Sequence, residues 1–189
     1  VARPMGAVID LDYARSGNTR AHPQSRWVLS RVSTFDGQAG DWRPQNPGAD
    51  FELTTFSYDE GIPDDGRYDR FEREFYGYSK VIETEHDTRG FSSVPAAFSA
   101  PYRTTTRFFH NSSFFDKGLL AREVVESAAA PGSPAPRITE VENFYVMRDV
   151  ATGAVLTTPQ ALHDTLSPVF PELTTAVRRV HEGDPTAGI

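Results

Sequence analysis

Runs of β-branched and aromatic residues, bounded by turn-forming dipeptides, mark strands along this chain. The first is 26–35, RWVLSRVSTF, stopped at Asp36-Gly37. A loop dense in Gly and Pro follows over 37–50, and then 51–58, FELTTFSY, alternates about Phe51, Leu53 and Thr55. Residues 102–115 form a further strand, turned by Asp116-Lys117-Gly118 and returned over 119–127, which is a hairpin. Residues 138–149 and 154–158 make a second hairpin about Ala151-Thr152-Gly153.

Three stretches carry a helical pattern instead. Tyr68, Phe71, Phe75, Tyr78 and Ile82 fall at intervals of 3, 4, 3 and 4, which predicts a helix within 64–84. The pairs Asp69–Arg73 and Arg70–Glu74 add i,i+4 support. Against them stand the strand-like Phe-Tyr-Gly-Tyr and Gly77, which costs about 1 kcal/mol in a helix interior. Near the end, Thr158-Pro159 reads as an N-cap with Pro at the first helical position, opening a helix through Leu162 and Leu166. Pro171 opens another, with Leu173, Ala176, Val177 and Val180 as its apolar stripe. Residues 1–25 have no sustained period and read as an N-terminal arm or lid, leaving 26–189 as a single domain. The fold class is therefore α+β and strand-rich: a curved antiparallel sheet, able to close as a barrel, with one central and C-terminal helices.

Composition supports the strands and narrows the chemistry. Among 189 residues there are 13 Phe, 7 Tyr and 2 Trp, and Phe outnumbers the helix-favouring Leu. There is no cysteine, which excludes disulfides, thiolate nucleophiles and zinc–thiolate sites, and fits a reducing, cytoplasmic setting. The net charge of −7 opposes adhesion to nucleic acid or to an anionic membrane, and no apolar run reaches the ~20 residues of a spanning helix. The N-terminus is not a signal peptide as it stands, and a leader removed before Val1 stays open. No G-x-G-x-x-G, P-loop, H-E-x-x-H or G-x-S-x-G occurs. Glu83-x-x-His86 is half of a di-iron motif whose other half is missing. No metal and no cofactor are expected.

The segment 102–115 is the most informative. One face presents Thr104, Thr106, Phe108, His110, Ser112 and Phe114; the other carries Arg103 and Arg107 and is taken as the outside. Rings and hydroxyls about one histidine suit a ligand wall better than a plain core, where an unpartnered hydroxyl costs about 1–3 kcal/mol. In the second hairpin Val141, Asn143, Tyr145 and Met147 share a face. The candidate site is thus His110 as the acid–base residue, with Thr106, Phe108, Phe114, Asn143, Tyr145 and Tyr78 as ligand-binding residues. It fits a small, largely apolar or aromatic molecule and a cofactor-independent cyclase, isomerase or dehydratase, although whether the chain is an enzyme stays open. The plainer reading makes His110 a satisfied histidine at a sheet edge. The competing class is a non-catalytic protein-interaction module that uses Trp42, the aromatic strand and the Pro-rich loops. A homo-oligomer is compatible with both.

Overall fold

The computed structural model describes residues 7–19, 22–36, 51–59, 67–88, 101–128, 136–157 and 168–182. Eleven strands occur in chain order: β1 Val8–Ser16, β2 Arg26–Phe35, β3 Phe51–Tyr58, β4 Arg67–Asp69, β5 Glu74–Gly77, β6 Lys80–His86, β7 Pro101–His110, β8 Leu119–Ser127, β9 Arg137–Asp149, β10 Val155–Leu156 and β11 Val169–Glu182. Nine of them make one antiparallel sheet in the order β1-β2-β3-β6-β7-β8-β9-β10, with β11 on the other side of β9; β4 and β5 form a separate hairpin. Among the described residues β1 pairs only with β2 and β11 only with β9, so the sheet is open.

Among the described residues there is no helix, and the α+β expectation is corrected to an all-strand fold that does not close into a barrel. The predicted central helix is the β4–β5 hairpin running into β6. Asp69 turns the chain there: its Oδ1 accepts the backbone N–H groups of Phe71 and Glu72, each at 2.8 Å. Arg73 and Gly77 both have positive φ, 57° and 108°, which a helix interior does not allow. Tyr68 and Phe75 face each other across the hairpin, and their seven-residue separation only imitates two helical turns. The helix expected from Pro171 is β11. A register shift between Leu173 and Thr175 puts Leu173, Ala176 and Val180 opposite Tyr145, Asn143 and Thr139. One bulge in a period-two strand therefore reproduces the 3 and 4 spacing of a helix. The helix expected at 159–166 lies outside the described residues, as does Trp42.

The strands hold together sideways more than through a core. Among the described residues substantial contacts run only between hydrogen-bonded neighbours, and the buried apolar side chains are Phe51, Leu53 and Tyr76. Charged cross-strand pairs supply much of the rest. On one face Arg107 bridges Glu83 and Glu123 at 2.7 and 2.8 Å, and Arg103 pairs with Glu85. The Glu83 hydrogen bond holds the Arg107 guanidinium above its ordinary value, against the opposing effect of burial. On the other face the buried Glu140 lies 2.7 Å from Arg122 and 3.5 Å from Arg179.

The β4–β5 hairpin is tacked to the sheet at two points. The fully buried His22 stacks on Phe75, with ring centroids 4.3 Å apart, and meets Tyr78 edge-on. The guanidinium of Arg26 sits 4.5 Å from the centre of the Phe75 ring, and Tyr78 hydrogen-bonds Ser16. At the second point Asn111 donates to the Gly77 carbonyl at 3.1 Å and to Ser79 Oγ at 2.9 Å, while Lys117 pairs with Glu74. Gly17 makes the first of these possible. Its φ is +87°, and a Cβ there would lie 2.3 Å from the Gln24 carbonyl oxygen and 2.6 Å from His22 Nδ1.

Candidate functional site

The sequence-derived site residues divide between separate places. Asn143 Nδ2 and Tyr145 Oη both donate to the Leu120 carbonyl, at 3.0 and 3.1 Å. β8 pairs with β9 only as far as Arg122–Glu142, so these two side chains supply the donors that a paired strand would have offered. His110, exposed at the end of β7, meets the Tyr145 ring edge-on at 6.1 Å. Those three residues do converge. Phe108 lies under the Arg122 guanidinium, 5.7 Å from its ring centre, and Thr106 sits between Ile82 and Val124 in mid-sheet. Phe114 belongs to the turn after β7, where the Lys117 ammonium rests 3.9 Å over its ring. Tyr78 belongs to the His22–Phe75 cluster and packs on Tyr58 at 4.8 Å. The arginine-bearing face is not simply the outside either: Thr105, between Arg103 and Arg107, is buried.

An open groove lies elsewhere among the described residues, where β3, β6 and β7 meet at one end of the sheet. It measures about 450 Å³, with Glu52, Glu85, His86, Asp87, Tyr102 and Arg103 on its walls. His86 Nε2 is 2.8 Å from Thr55 Oγ1, and burial lowers the imidazole below its ordinary value. The folded chain thus favours the neutral ring. Its stabilising contribution is complete above the unfolded value of about 6.5 and declines as the pH falls toward the folded value. The melting temperature is expected to drop between pH 7.5 and 5, and His86→Gln should flatten that drop in thermal melts. An unchanged slope would assign the effect to other groups.

Apart from Phe71 in the β4–β5 turn, which is 98% exposed, most of the large exposed apolar side chains gather at the two flanks of the sheet. On β1 the odd positions Leu11, Tyr13 and Arg15 alternate with Asp10, Asp12 and Ala14. Leu11 and Tyr13 are 42% and 54% exposed, and Trp27, opposite Arg15 on β2, is 65% exposed. The Arg15 guanidinium lies 5.1 Å from the Trp27 ring centre. At the opposite flank Phe144, Phe170, Leu173 and Val180 of β9 and β11 are exposed, beside an open groove of about 300 Å³ that Val150 and Phe170 line. Sequence reasoning missed the β1–β2 patch because residues 1–25 as a whole show no sustained period. The alternation Ile9, Leu11, Tyr13 against Asp10, Asp12 was the available signal.

Among the described residues no helix is long and apolar enough to cross a membrane, and no cluster of three or more His, Asp or Glu could hold a metal ion. No family model and no curated protein matches this chain. Solved structures do. Chains in the crystal structures of TcdB2-TccC3-Cdc42, of TcdB2-TccC3 without its hypervariable C-terminal region, and of TcdB2-TccC3-TEV superpose on 92% of this chain, with TM-scores of 0.60, 0.59 and 0.60 and identities of 15%, 16% and 15%. This likeness is one of fold. The chain spans about a tenth of the length of those solved chains, 10% in each case.

Proposed function

We propose that this chain is a protein-interaction module, an open sheet that is built into a larger protein assembly through its two apolar flanks. The observation that carries the reading is the mismatch between a small buried core and many exposed large side chains. Three apolar residues are buried among those described, while Leu11, Tyr13, Trp27, Phe144, Phe170 and Leu173 stay exposed at the outer strands. Leu11, Tyr13 and Trp27 share one face at the β1 flank, whereas at the β11 flank Phe144 and Phe170 lie on one face and Leu173 on the other. Soluble monomers rarely leave large apolar patches uncovered, and Trp, Tyr and Arg are the residues that dominate interface energetics. The fold's likeness to a tenth of each TcdB2-TccC3 chain supports a role as one part of something larger. A small apolar or aromatic ligand at His110, Asn143 and Tyr145 is the second reading, favoured by Asn143 and Tyr145 meeting at the Leu120 carbonyl with the His110 ring edge-on to Tyr145.

The test is made on the isolated chain. It should bind the dye ANS strongly, and Trp27→Ser with Phe170→Ser and Leu173→Ser should remove most of that signal without unfolding the sheet. Dye binding no greater than that of an ordinary compact domain overturns the module reading. A small molecule that copurifies in native mass spectrometry, and is lost in His110→Ala, would favour the ligand reading instead.

A further inference from the structure

β1 and β11 are the outermost strands, but they are built differently. β11 carries Pro171 and a bulge at Thr174, devices by which natural edges resist further pairing. β1 has no proline, and the register shift in its pairing with β2 places the extra residue, Ser30, on β2. β1 itself is regular, and among the described residues no strand lies along its outer side. Its two faces differ in chemistry. Leu11 and Tyr13 lie on one, continuous with Trp27, and Asp10 and Asp12 on the other. Asp12 is paired with Arg31, whereas Asp10 stands opposite Ser33 and has no cation across the pair.

We infer that the outer edge of β1 is a strand-addition site for an extended segment of a partner polypeptide, one with apolar residues at alternate positions and lysine or arginine between them. The inference rests on the module reading above and names the partner's chemistry. Main-chain hydrogen bonds to the β1 edge provide affinity, and alternate side chains provide specificity. On the Leu11–Tyr13 face the incoming apolar residues cover the exposed patch. On the opposite face a cation of the incoming strand meets Asp10, whose charge has no cation across the pair and would repel an acidic strand. A polar strand without the alternation leaves Leu11 and Tyr13 exposed, so it gains only the backbone bonds.

Two peptides of equal length test this, Ac-VKVKVKV-NH2 and Ac-VEVEVEV-NH2. In a Trp42→Phe background Trp27 is the sole tryptophan, since the chain has two, and its fluorescence reports the patch. The Val-Lys peptide should bind at least tenfold more tightly than the Val-Glu peptide, Asp10→Lys should erase that preference, and the backbone amides of 10–13 should exchange more slowly when the Val-Lys peptide is bound. Affinities within twofold of each other, no fluorescence change with either peptide, or binding without amide protection each overturn the inference. Strong ANS binding together with any of these would sink the edge site alone and leave the module standing; absence of both would sink the two together.

Discussion

Gly17→Ala is expected to lower the melting temperature by about 6–12 °C. Two costs combine at this position. A left-handed conformation costs a residue with a Cβ roughly 1–2 kcal/mol, and Gly17 has φ +87°. The added methyl would also sit within 3 Å of the Gln24 carbonyl oxygen and of the His22 ring. Overpacking of that kind costs roughly 1–3 kcal/mol. A total near 3 kcal/mol, at about 2–4 °C per kcal/mol for a chain of this length, gives the range. Gly118 is the control, because it has φ +79° but nothing within 4 Å of the place a methyl would occupy. There only strain operates, offset by about 0.4–1 kcal/mol from the stiffer unfolded chain, and Gly118→Ala should cost about 1 kcal/mol. Calorimetry on the two variants decides the matter. Equal losses would mean that the His22 contact is not tight, and the hairpin would then not depend on Gly17.

Arg122→Met is expected to cost about 3 kcal/mol. Glu140 is 8% exposed and 2.7 Å from Arg122, whereas its other partner, Arg179, is 3.5 Å away, 43% exposed and shared with Glu142. Removing one member of a buried pair costs roughly 3–5 kcal/mol because the remaining charge keeps its desolvation penalty. The 31% exposure of Arg122 and the partial cover from Arg179 place the expected value at the lower end. Replacing both members, Arg122→Met with Glu140→Leu, should bring stability back to within about 1 kcal/mol of the parent, since well-packed apolar pairs often match buried ion pairs. Urea denaturation reads both values. A single variant that loses less than about 1 kcal/mol would show that Glu140 is solvated or repartnered once Arg122 is gone.

Much of the sheet was legible because its hairpins are local. The hairpin of β9 and β10 turns at Ala151-Thr152-Gly153, where the sequence places it. That of β7 and β8 includes Asp116-Lys117-Gly118 in its turn, although the strand expected through Phe115 ends at His110 and the connection takes up 111–118. What misled was spacing. Aromatics 3 or 4 apart at 68–82 belong to a hairpin whose turn Asp69 forms, and the 3–4 stripe of β11 is a bulge within a strand. Periodicity alone cannot separate these from helices; Gly77 in one case and the β-branched Thr174, Thr175, Val177 and Val180 in the other carried the opposing signal. The site residues were harder. Asn143 and Tyr145 share a face, as alternation requires, but their target is a backbone carbonyl freed where β8 and β9 part, and no local pattern encodes where two strands stop pairing. The arginines that marked a face as outward instead find carboxylates on neighbouring strands, 16 and 24 residues away for Arg107.

The strand order has a kinetic consequence. From β1 to β9 each strand of the sheet lies beside the one that precedes it in the sheet's own chain order, with only the β4–β5 hairpin interposed between β3 and β6. Joining strands that are neighbours in the chain is fast and entropically cheap relative to joining distant ends. The sheet can therefore lengthen strand by strand as the polypeptide leaves the ribosome, each arrival covering the edge left by its predecessor, so that beyond the fixed edge of β1 a single growing edge is open to misassociation at any moment.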